Sequence, residues 1–150
     1  MLRILLIAIA FALPLSAAQA QSKLGPYTDV RALADDKPGH VIHALIEATN
    51  SGDEKKVKDF LLANASKDFL DALPMEEHIG RIAGIGAENG GFKFYAIRQT
   101  EASKADPSLK EFVVQGLKSK EWFQVSLSFV SDKEFKIANL DAAPIPAPEK

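Results

Sequence analysis

The chain of 150 residues contains no cysteine, one tryptophan, two tyrosines and three histidines, and these scarcities remove whole classes of function. Without cysteine there is no disulfide scaffold, no lipid-bearing residue after a leader and no thiolate for a structural zinc site. Basic residues are also unclustered. With 18 Lys and Arg against 20 Asp and Glu, the net charge is −2, and no basic patch is interleaved with aromatics, so nucleic acid is not an expected partner. Gly84-Ile85-Gly86 and Gly90-Gly91 follow no strand and precede no Lys-Ser/Thr pair, which excludes a phosphate loop. The serines stand in no nucleophile-elbow setting. Asp35-Asp36 and Glu76-Glu77 are adjacent in sequence and therefore diverge, whereas acid–base work needs convergence. His40 and His43 are spaced i, i+3 on one helix, but zinc wants three or four converging ligands, so neither a metal nor another cofactor is expected.

What is present begins with a leader. Arg3, the apolar run Ile4 to Leu15 and the small residues of Ala18-Gln19-Ala20 have the order of a signal peptide cut between Ala20 and Gln21. The run of about a dozen apolar residues is too short for the 20 or so that a spanning helix needs. A periplasmic or secreted protein is expected, with no membrane insertion after cleavage. Losing Arg3 leaves 17 basic against 20 acidic side chains, a net charge of −3.

After residues 1–20, an extended N-terminal arm is expected over 21–37, a folded domain over 38–141 and a Pro-rich tail over 142–150. Pro38 opens a first helix whose stripe is Val41, Ile42, Leu45 and Ile46. Asn50-Ser51-Gly52-Asp53 ends it, and Asp53 caps a second helix over 53–63 with Val57, Phe60 and Leu61 on its buried side. A turn around Phe69-Leu70-Leu73 leads to a third helix from Pro74, burying Ile79, Ile82 and Ala83 and stopping at Gly90-Gly91. In that helix His78 sits beside Glu76 and Glu77 and reads as solvated surface. The period then changes to two. Strands are expected at Phe92–Thr100, Leu109–Leu117, Glu121–Val130 and Glu134–Leu140, with Phe123, Val125, Leu127 and Phe129 on one side of the third. Lys118-Ser119-Lys120 and Ser131-Asp132-Lys133 are hairpin-sized connections, and Ala142 to Pro148 should lie as polyproline. The expected fold class is α+β, with three N-terminal helices packed on a curved four-stranded antiparallel sheet.

Ala44-Leu45-Ile46-Glu47-Ala48-Thr49-Asn50-Ser51-Gly52-Asp53, the Phe69-Leu70 turn, Glu121-Trp122, Lys136-Ile137-Ala138-Asn139-Leu140 and Pro144 together resemble the nuclear transport factor 2-like (cystatin-like) domain. The version most similar is the one that precedes serine hydrolase or tail-specific peptidase domains in exported bacterial proteins. The resemblance covers about residues 38 to 144, so it does not bring the activity of those further domains. It implies a cone between helices and sheet. Enzymes of the superfamily with ketosteroid isomerase-like or dehydratase activity keep an acidic base and a tyrosine or histidine there, for which the candidates are His43, Tyr95, Glu111 and Asn139. Two functions follow: a non-catalytic exported domain binding a small ligand or a protein through its cone or outer sheet face, or a small enzyme using polar groups inside the cone. If Phe92 and Phe94 are buried, alternation places Tyr95 and Ile97 with Trp122 and Gln124 on the outer face, where a homodimer or another protein could dock.

Overall fold

The structure, a computed structural model, describes residues 25–130 and 134–149; the leader and the Ser131-Asp132-Lys133 connection lie outside them. Among the described residues the first element is a short strand, β1 (Tyr27–Val30), and the helices follow. Asp36 accepts the Gly39 N–H at 2.8 Å and starts α1 (Lys37–Asn50) with Pro38 in its first turn. Gly52, at φ 64°, turns the chain, and Asp53 accepts the Lys55 N–H at 2.9 Å to start α2 (Glu54–Asn64). Ser66 caps a short α3 (Lys67–Asp71) by accepting from the Phe69 N–H. Helix α4 (Met75–Asn89) ends on Gly90 at φ 68°, a left-handed terminus that a side chain would strain.

The remaining elements are β2 (Phe92–Thr100), α5 (Glu101–Ala105), β3 (Leu109–Gly116), β4 (Trp122–Phe129) and β5 (Ile137–Ile145). The five strands form one sheet in the order β1-β2-β3-β4-β5, every neighbouring pair antiparallel. One face of the sheet carries Phe92, Phe112, Val114, Phe123, Val125 and Leu127 against Ile42, Leu45, Val57, Leu61 and Ile82 of the helices. The two halves are stitched by Asn50, whose side chain accepts the Phe92 N–H at 2.7 Å and donates to the Phe92 carbonyl at 2.8 Å.

The α+β class holds, but there are five helices and five strands among the described residues instead of three and four. Local capping accounts for the added helices. Ser66 starts α3, and Thr100 with Ser103 forms a reciprocal capping box that starts α5 within the break after β2. Part of the expected arm, Tyr27–Val30, becomes an edge strand paired with Ile97 to Thr100. At the other edge, β5 begins at Ile137 and continues through Pro144, opposite Phe123, so residues 142–145 are strand where polyproline was expected. An edge strand is where a sheet tolerates the missing N–H of proline.

Candidate functional site

Helices and sheet do not close on each other completely. Between α1, α4 and the inner sheet face lies a cavity of about 680 Å³. Its walls are Leu45 and Ile46 from α1, Ile82 and Ile85 from α4, and Phe92, Phe112, Val114, Phe123 and Val125 from the sheet. The exposed lining residues Asp68, Ala72, Arg81, Asn139 and Asp141 mark its mouth, between the α3–α4 corner and β5. That volume is in the range of small-molecule sites, which are mostly apolar with few polar groups. Thr49, a polar member of the wall, spends its hydroxyl proton on the Leu45 carbonyl at 2.7 Å.

The other buried polar group of the lining is His78. It is 5% exposed and lines the cavity, with its ring stacked on Phe69 at 4.6 Å between centroids and 24° between planes. Its Nε2 is buried without a hydrogen-bond partner, the sole such side-chain atom among the described residues. Leaving a buried polar atom unmet costs about 1–3 kcal/mol. His78 is therefore not the solvated residue its acidic neighbours suggested. The signal was in the spacing: 78, 82 and 85 recur as i, i+4 and i+7, which carries the ring to the same side as Ile82 and Ile85.

The four residues expected in the cone are not brought together. His43 is exposed, its Nδ1 3.5 Å from Glu47 across one helical turn. Asn139 is exposed and stands at the mouth, in register with Ser128. Tyr95 and Glu111 belong to the opposite face of the sheet, where they join two separate groups. In the first, Arg98, 1% exposed, donates from Nε and a terminal nitrogen to both oxygens of Asp29 at 2.9 and 2.8 Å, with its guanidinium 3.6 Å from the Tyr27 ring centroid. Gln124 accepts from Arg98 at 3.4 Å and donates to Glu111 at 2.9 Å, and Thr100 donates to the second Glu111 oxygen. Glu111 is buried, and both of its oxygens are met. In the second group, the Tyr95 ring meets Trp122 edge-on at 4.8 Å and is covered by Arg31, which lies 3.5 Å from its centroid.

Of the residues expected on the outer face, Tyr95, Trp122 and Gln124 are there and Ile97 is not. The β2–β3 register slips between Phe94 and Ala96, so Ala96 pairs with Val113 on the outer side and Ile97 pairs with Phe112 on the helix side. A β-bulge adds one residue and reverses the alternation beyond it. Ile97 accordingly packs against the core.

His40 pairs with Asp35 at 2.8 Å on the surface. Among the described residues no group of three or more His, Asp or Glu could hold a metal ion, and no helix is long and apolar enough to cross a membrane. Displaced titrations lie outside the cavity: Asp59 raises Lys55, Asp71 raises Lys67, and hydrogen bonds from Ser108 hold Asp106 below its ordinary value. No protein-family model, curated protein or solved structure matches the chain.

Proposed function

We propose that this chain is an exported, non-catalytic domain of the nuclear transport factor 2-like kind, whose cone holds a small, largely apolar molecule. The observation that carries the reading is the hollow of about 680 Å³ between the helices and the inner sheet face. Well-packed interiors leave few voids larger than a water molecule, so a space this large with apolar walls needs an occupant to recover the lost contacts. Binding is favoured over acid–base catalysis because His78 is the sole titratable side chain buried in the cavity among the described residues, while Glu111 is committed to Gln124 and Thr100 on the other face. Proton transfer to and from a substrate asks for convergent groups at the reacting atoms.

The test uses N-phenyl-1-naphthylamine, an uncharged dye that brightens in apolar surroundings. Saturable 1:1 brightening is expected with the unaltered protein, and Val125→Trp, which fills the cavity from the sheet side, should abolish it with helix and sheet circular dichroism retained. Brightening that survives the filled cavity would place the dye elsewhere and reject the reading.

A further inference from the structure

We infer that the molecule taken by the cavity is uncharged and carries one hydroxyl group, and that this group meets Nε2 of His78. The inference rests on the binding function proposed above and adds the ligand's chemical class.

Three observations carry it. First, His78 lines a largely apolar chamber and its Nε2, buried beside that chamber, has no partner, while the ring is held in place by stacking on Phe69. Depending on the tautomer, that nitrogen donates or accepts, and a hydroxyl can answer in either sense where an ether or a carbonyl answers only one. Second, away from Ser66 and the polar mouth the wall is hydrocarbon, with Thr49 already engaged, so a second polar group on the buried body of the ligand would be desolvated without a partner. Third, the charged residues at the mouth oppose an anion. Asp68 and Asp141 are two carboxylates against the single cation Arg81, which is itself 3.6 Å from Glu77. A fatty acid or another organic carboxylate would meet net negative charge at the entrance and then apolar walls inside. Alcohols and phenols with a compact hydrocarbon body meet neither obstacle.

Naphthalene, 2-naphthol and 2-naphthoate share one apolar body and differ in the group that the inference concerns. Calorimetric titration of the purified protein near neutral pH should give 2-naphthol an affinity about five- to tenfold above naphthalene, the usual worth of one hydrogen bond to a buried group. 2-Naphthoate should bind at least about tenfold more weakly than 2-naphthol. His78→Phe keeps the stacked ring and removes the nitrogen. In that variant 2-naphthol and naphthalene should bind with equal affinity. Equal affinity of 2-naphthol and naphthalene for the unaltered protein overturns the inference, as does naphthoate binding as tightly as naphthol, or an advantage for naphthol that survives His78→Phe. Those three results leave the cavity as a binding site. Absence of binding by all three compounds instead removes the cavity reading, and the inference with it. Should the variant not fold, the three titrations of the unaltered protein decide the matter alone.

Discussion

Replacing Asp29 by alanine should cost more than any other change to an ion pair of this protein's described surface. Arg98 is 1% exposed and Asp29 15%, so the guanidinium depends on that carboxylate for both of its short hydrogen bonds. After substitution Arg98 keeps Gln124 at 3.4 Å and the face of Tyr27, neither of which supplies negative charge. Breaking a buried pair by removing one partner costs about 3–5 kcal/mol, against about 0–1 for an exposed pair. The partial exposure of Asp29 sets the expectation near the lower end, about 3 kcal/mol, out of the 5–15 that a domain commonly has. For a chain of this size that is a fall in Tm of about 10 °C.

The assay is urea unfolding followed by circular dichroism, with Arg98→Met and the double variant completing a cycle. Arg98→Met strands only a carboxylate near solvent, so it should cost less than Asp29→Ala, and the double variant should be more stable than Asp29→Ala alone. The lysine pairs, such as Lys55 with Asp59 at 2.6 Å, provide the exposed comparison. A loss below about 1 kcal/mol for Asp29→Ala would refute the reasoning, because it would mean that water reaches the guanidinium as it reaches an ordinary surface pair.

Three further outcomes are expected. A Cβ at Gly86 would lie 2.6 Å from the Thr49 carbonyl oxygen, so Gly86→Ala must push α1 and α4 apart there; a loss of about 1–3 kcal/mol in urea unfolding is expected, and an unchanged midpoint would show that the helices are not in contact at that point. His78→Phe should raise Tm in the absence of ligand, since it removes the unmet Nε2 and keeps a ring against Phe69; a lowered Tm would show that Nε2 has a partner in solution. The Asp106 carboxyl accepts from the Ser108 hydroxyl and N–H, which holds it below the ordinary 3.8, so its stabilising effect is present above that value and is lost as the pH falls through the depressed one. A carboxyl-carbon NMR titration should give a midpoint under 3.8, and a midpoint at or above it contradicts the two hydrogen bonds from Ser108.

The parts of the fold that were legible in the sequence are those whose causes are local. The turn from α1 to α2 is written in Gly52 and the capping Asp53, and the inner row of β4 in the alternation of Phe123, Val125, Leu127 and Phe129. The span Phe92–Thr100 was read correctly as a strand. Its faces were not, because the bulge at Tyr95 is fixed by pairing with β3 and carries no proline or glycine to mark it. Strand β1 was missed for a related reason. Tyr27-Thr28-Asp29-Val30 acquires its ladder from β2, with Asp29 meeting Arg98 across 69 residues of chain, a pairing that no window of local sequence contains. The hidden position of His78 was legible in principle, from its spacing to Ile82 and Ile85, but residue type outweighed periodicity beside two glutamates.

The two faces of the sheet show why burial of a titratable group is, by itself, a poor guide to function. The outer side carries the more conspicuous pair: Arg98 and Glu111 are both buried and charged, and residue type alone would mark them as a site. Yet Asp29, Gln124 and Thr100 meet them, so they have little left to offer a ligand; Arg98 fastens β1 to the sheet through Asp29, and Glu111 ties β3 to β2 and β4. His78, on the inner side, has unspent hydrogen-bonding capacity in a space large enough to admit a molecule. A satisfied network stabilises the fold whether or not a ligand exists, whereas an unmet buried nitrogen costs stability until something meets it. It is this difference in unmet capacity, and not the number of charges, that separates the cavity proposed as the binding site from the outer network.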